Sequence, residues 1–163
     1  MKLDELLIIK QAIINEIEGY EFYKMAESQA DSEETKLALN TLAEEELTHS
    51  KYLKDLFDKI KDTDEEAFSL AFLDNPPSPR IYDWNKHKFP KASIAVSIYG
   101  TAVNLEKAAV EFYQNAKEES SHPEAKKLYD LLIKWEKVHL EQFFKAYQLN
   151  MEDWWTEQGF APF

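Results

Sequence analysis

The sequence predicts an all-α fold, a four-helix bundle of two antiparallel hairpins joined by a long crossover, with a short C-terminal aromatic tail. Three observations predict it. Apolar residues recur at helical spacing in four long segments. Helix breakers are scarce, with 3 Gly and 6 Pro among 163 residues. The second half of the chain also repeats the first at an offset of 90 residues. A chain of this length forms one domain, 1–163, with a real core.

The first helix is expected from about Leu3 to Gln29, with Leu6, Ile9, Ile13, Tyr20 and Tyr23 on one face. Asp31 and Glu34 form a candidate capping box for the second, which runs to about Ile60. Its inner stripe reads Leu39, Leu42, Glu46, His49, Leu53 and Leu56. These two helices make hairpin 1, about 3–60. The crossover spans about 61–90; Thr63–Phe72 suits a short helix, whereas Asn75-Pro76-Pro77-Ser78-Pro79 cannot be helical. Such a length recrosses the bundle and lets the third helix run parallel to the second.

Hairpin 2 covers about 91–150. Its first helix starts near Lys91 and runs to about Glu119. Its second opens on Ser121, Pro123 and Glu124, an N-cap, an early Pro and a capping-box Glu. That helix carries Leu128, Leu132, Glu136, His139 and Phe143. The tail, 151–163, holds Trp154, Trp155, Phe160 and Phe163; one or two helical turns and then an extended end are expected. Four large aromatics call for cover, at a bundle end or a subunit contact.

The repeat pairs Ala12 with Ala102, Phe22 with Phe112, Tyr23 with Tyr113 and Leu42 with Leu132. It also pairs Glu16 with Glu106, Glu46 with Glu136 and His49 with His139. A Glu on each of two helices plus a Glu-x-x-His on each of two others is the ligand set of a dinuclear iron or manganese site in a helix bundle. Residues three apart share a helix face, so Glu46 with His49, and Glu136 with His139, can each hold one ion. Glu16 and Glu106 can bridge or close the site. Four carboxylates balance two divalent ions, and carboxylate with imidazole suits iron or manganese. A lone Glu-x-x-His is common on solvated helix faces; two matched pairs with two matched Glu residues are specific.

Tyr23 and Tyr113 lie two turns beyond Glu16 and Glu106, placed either to hydrogen-bond ligand carboxylates or simply to fill the core. Glu45 is a candidate to hold a ligand imidazole, although its repeat counterpart is Trp135. Glu21 and Glu111 point off the ligand face, and His87 and His122 read as surface residues.

Composition narrows the function. The formal charge of −12 argues against a nucleic-acid partner. Without cysteine there is no disulfide, zinc ribbon or iron–sulfur centre in this chain, which fits a reducing, cytoplasmic setting. No apolar run approaches a membrane span, and no signal-peptide pattern opens the sequence.

The segments Ala12-Ile-Ile-Asn-Glu16-Ile-Glu-Gly19-Tyr-Glu-Phe22-Tyr23 and Leu42-Ala-Glu-Glu-Glu46-Leu-Thr-His49, with their repeat partners, resemble the rubrerythrin-like branch of the ferritin-like superfamily. The resemblance covers both hairpins. It implies a ferritin-like bundle with two iron ions per chain, manganese being an alternative, whose ligands are also the catalytic residues. It implies a small oxidant, hydrogen peroxide or dioxygen. A homodimer is expected. Rubrerythrins proper carry a rubredoxin domain; this chain lacks the cysteines for one, so electrons must come from a separate donor. They also carry a further Glu one turn after the third-helix ligand, where this chain has Ala109. The six remaining ligands look like a bacterioferritin ferroxidase centre, but Leu47-Thr48 replaces the haem-ligating Met of that family, so no haem is expected. Three functions follow as expectations: a peroxide- or dioxygen-reducing oxidoreductase, a ferroxidase or iron-handling protein, and a metal-stabilised helical interaction module.

Overall fold

The computed structural model describes residues 2–62 and 89–159. Four helices account for nearly all of them: α1 Lys2–Gln29, α2 Glu33–Asp62, α3 Ala92–Glu119 and α4 Pro123–Glu157. The expected crossover helix at Thr63–Phe72 and the Pro-rich run lie outside the described residues. α1 packs most closely on α2 and α3 on α4, and the two hairpins share their apolar core. Turns of about three residues join the mates and enforce antiparallel neighbours.

Two apolar layers fill the bundle. One gathers Tyr23 and Ala26 with Leu39, Leu42, Tyr99 and Phe143. The other gathers Ile9 and Ala12 with Leu53, Leu56, Tyr113, Leu128 and Leu132. The first layer draws on the C-terminal half of α1 and the N-terminal halves of α2 and α3, so α2 and α3 run parallel. Each fully buried Leu or Ile contributes roughly 1.5–3 kcal/mol of transfer free energy. Along every helix the layers are interrupted by buried polar residues, and there the bundle becomes a site.

The helix starts differ from the sequence expectation. The N-cap of α2 is Ser32: its Oγ accepts the Thr35 backbone N–H at 3.1 Å and lies 2.8 Å from Thr35 Oγ1. Asp31 and Glu34 make no capping box, because Ser32 takes the N-terminal donor first. α4 is capped by His122 rather than Ser121, without a side-chain cap bond. The Ser120 hydroxyl instead accepts the His122 N–H at 3.1 Å. α4 also runs unbroken through the start of the tail to Glu157, since Met151–Glu157 contains neither Gly nor Pro. Trp154 is half-buried and stands 4.9 Å, edge to face, from Trp155, which is 42 % exposed, so the expected cover reaches only one of the two. Phe160 and Phe163 lie outside the described residues. Among the described residues no helix is long and apolar enough to cross a membrane.

Candidate metal centre

All six residues of the repeated pattern converge between the two apolar layers. Glu16 on α1, Glu46 and His49 on α2, Glu106 on α3, and Glu136 and His139 on α4 are each at least 96 % buried. They form two overlapping groups, Glu16–Glu46–His49–Glu136 and Glu46–Glu106–Glu136–His139. Within each group one donor atom per residue lies within 4.8 Å of the others. Glu46 and Glu136 belong to both groups, and Glu16 and Glu106 to one each.

Both imidazoles present Nδ1 to the centre. His49 Nδ1 lies 3.1 Å from Glu16 Oε2 and 3.2 Å from Glu136 Oε1. His139 Nδ1 lies 3.4 Å from Glu136 Oε2 and 3.6 Å from Glu46 Oε1. Tyr23 donates its hydroxyl hydrogen to Glu106 Oε1, and Tyr113 donates to Glu16 Oε1. Each tyrosine therefore serves the carboxylate of the opposite hairpin. Both rings also lie buried in the apolar layers, so each tyrosine fills the core and donates to a carboxylate at once.

Glu45 lies where His139 needs an acceptor: its Oε2 is 2.8 Å from His139 Nε2. With Nε2 protonated, Nδ1 is left as the lone-pair donor toward the centre. The repeat breaks here. His49 meets Trp135 instead, with ring centroids 5.1 Å apart at 75°. His49 Nε2 and Trp135 Nε1 are both buried without a hydrogen-bond partner among the described residues. The two ends of the centre are therefore inequivalent.

Electrostatics explains why the cluster calls for cations. Burial, reinforced by Glu136, lifts the Glu106 carboxyl to about 8. Burial and then Glu136 and Glu16 raise Glu46 well above the carboxylate range. Burial pushes the Glu136 carboxyl up, but the imidazoles of His139 and His49 outweigh it and hold it well below its usual value. Burial likewise disfavours charge on both imidazoles, yet the facing carboxylates raise both well above the ordinary histidine value. The metal-free centre thus holds protons where cations would sit. Among the described residues no well-aligned hydrogen bond reaches either Glu136 oxygen, although His49 Nδ1 and His139 Nδ1 stand 3.2 and 3.4 Å away. Four carboxylates with two imidazoles, all almost wholly buried, fit a pair of iron or manganese ions.

The rubrerythrin sequence profile matches residues 8–147, which spans all six residues. The chain belongs to the rubrerythrin family. A hypothetical protein from Pyrococcus furiosus has a similar structure, with TM-score 0.69, 26% identity, and 91% of this chain and 90% of that chain covered. No curated protein matches. Rubrerythrin membership and the two carboxylate–histidine groups together support a di-iron carboxylate protein with a ferritin-like fold.

A cleft of about 260 Å³ reaches this centre from the surface between α1 and α3. Its floor includes Glu16, Glu46, Glu106 and Glu136. Its walls carry Gly19 and Ala109, repeat equivalents three residues beyond Glu16 and Glu106. A methyl group at Gly19 would stand 3.4 Å from the Glu46 side chain, so a larger residue there would press on the centre. Sequence reasoning missed this role of Gly19. It also missed Glu5, which is 3 % exposed at the far end of the bundle. Glu5 accepts hydrogen bonds from Ser120 at 2.6 Å and Tyr129 at 2.7 Å. Its repeat counterpart is Ala95, so the pattern that marked the ligands could not mark it.

Proposed function

We propose that this protein is a non-haem di-iron oxidoreductase that reduces hydrogen peroxide or dioxygen with electrons from a separate donor. The observation that carries the reading is the pair of overlapping buried groups that share Glu46 and Glu136. Glu46, His49 and Glu16 would hold one ion, and Glu136, His139 and Glu106 the other. The bound pair supplies two one-electron couples side by side, the count needed to reduce a peroxide bond fully.

The chain's own residues do the rest. Tyr23 and Tyr113 fix the terminal carboxylates, and Glu45 fixes the donor face of His139. The α1–α3 cleft admits a small oxidant. Without cysteine the chain has no thiolate-ligated relay, so reduction comes from a partner. Iron handling by ferroxidase chemistry is a second reading, favoured by Ala109, which leaves three ligands on each half.

Anaerobic loading with Fe(II), followed by stopped-flow absorbance against peroxide and dioxygen, tests the proposal. Oxidation by peroxide, faster than by dioxygen at matched concentrations, is expected. Oxidation by dioxygen at least as fast would move the assignment to a ferroxidase or oxidase. Tight metal binding with no redox response would leave only a structural role.

A further inference from the structure

The cleft is larger than its simplest oxidant needs. Its 260 Å³ would hold about eight water-sized molecules. Hydrogen peroxide, even beside two metal ions, would leave much of that space unfilled. The lining is also sharply divided. Carboxylates form the floor, while the α3 wall is Leu105, Ala108, Ala109 and Phe112. These four recur at three- and four-residue spacing, so they form one continuous strip along α3 beside Glu106. Leu105, Ala109 and Phe112 are half-buried and Ala108 is exposed, so the strip is open to solvent along the cleft. A peroxide-sized substrate makes no use of an apolar strip; a substrate with an organic group does.

Charge limits the class further. Glu18 is exposed on the opposite wall, and the chain carries a formal −12. An anionic substrate would meet repulsion at the mouth that a neutral one avoids.

We propose that the α1–α3 cleft binds small, neutral organic hydroperoxides, with the alkyl or aryl group on the Leu105–Ala108–Ala109–Phe112 strip and the peroxide group toward the carboxylate floor. The proposal rests on the peroxide-reducing reading and deepens it by naming the substrate class. The reaction breaks the O–O bond of ROOH. Two electrons, supplied through the same separate donor, and two protons complete one alcohol and one water. Ala109 is then a specificity-determining residue: its small side chain keeps the strip open beside Glu106.

The test has a binding arm and a turnover arm. Protein loaded with zinc, which is redox-inert, is titrated with 2-phenyl-2-propanol, the alcohol that cumene hydroperoxide would yield. NMR follows the methyl groups of Leu105, Ala108 and Ala109. Saturable shifts are expected, weakened at least tenfold in Ala109→Phe. Ala109→Leu serves as a second variant, and melting curves establish that each is folded. In the turnover arm, iron-loaded protein with a chemical reductant is given cumene hydroperoxide and hydrogen peroxide separately. The ratio of the two kcat/KM values should fall at least tenfold in the folded variant. A hydroperoxide bearing a carboxylate should be used more poorly than the neutral one. Absence of saturable binding, or an unchanged ratio, overturns the proposal while hydrogen peroxide reduction keeps the parent reading. Failure to reduce either peroxide, with the alcohol still bound, sinks the parent reading and leaves the ligand class of the cleft standing.

Discussion

Removing the Glu45 carboxylate should weaken one metal position and spare the other. His139 is fully buried, and its Nε2 has Glu45 Oε2 at 2.8 Å. A hydrogen bond to a charged acceptor in such a place contributes about 1.5–3 kcal/mol. Loss of a partner behind a ligand histidine costs about 10–100-fold in metal affinity, or about 1.4–2.8 kcal/mol, in agreement. Glu45→Gln keeps the shape and an acceptor oxygen but removes the charge; Glu45→Ala removes the acceptor altogether. The losses should therefore rise from Gln to Ala. His49 has Trp135 where His139 has Glu45, so its end of the centre should already be the weaker one and should not move. Anaerobic competition titrations against a chelator, using Fe(II) or Co(II), would resolve two binding steps in the natural protein. The variants should shift only the tighter step. Equal weakening of both steps, or none in Glu45→Ala, would refute the reasoning from the 2.8 Å contact and the broken repeat.

Four further outcomes are expected. Elemental analysis of reconstituted protein should give two metal ions per chain, and Glu46→Ala with Glu136→Ala should abolish binding of the pair. Holoprotein should melt above apoprotein near neutral pH, because metal binds only the folded state and relieves carboxylate repulsion; coincident curves at confirmed occupancy would contradict a core site. The apoprotein should lose stability as pH rises. Glu106, with its pKa raised from 4.5 to about 8, binds more protons folded than unfolded in that window, and the raised Glu46 and both histidines act in the same direction. A melting temperature at pH 8.5 equal to or above that at pH 5.5 would contradict this. Glu5→Ala should cost about 3 kcal/mol in urea unfolding, since it strands the Ser120 and Tyr129 hydroxyls; a loss below about 1 kcal/mol would show that those bonds are readily replaced.

Much of this molecule was legible because a helix and an internal repeat both leave periodic traces. Glu46 and His49 share a helix face by spacing alone, and the 90-residue offset pairs them with Glu136 and His139. The offset also carried Tyr23 and Tyr113, although spacing could not say that each would reach across to the other hairpin. Features without a repeat were harder to read. Glu45 and Trp135 occupy equivalent positions with unlike chemistry, and only the fold shows which histidine each one faces. Glu5 sits in an otherwise ordinary acidic first turn; its burial depends on Ser120 and Tyr129, more than 110 residues away. The caps were misread for a local reason. Ser32 and Asp31 are adjacent candidates, and so are Ser121 and His122, and backbone geometry rather than residue type chose between them.

The placement of the polar layer has a consequence for the life of the chain in a cell. The two apolar layers span both hairpins, while the polar layer between them holds four carboxylates that only protons or cations can neutralise. Part of the cohesion between the halves is thus leased from the surrounding metal supply. When iron is scarce, the newly made chain would open more often along that layer and offer its backbone to proteases. Abundance would then track metal availability without any dedicated sensor, and metal-free chains would be cleared by the same physics that assembles the loaded ones.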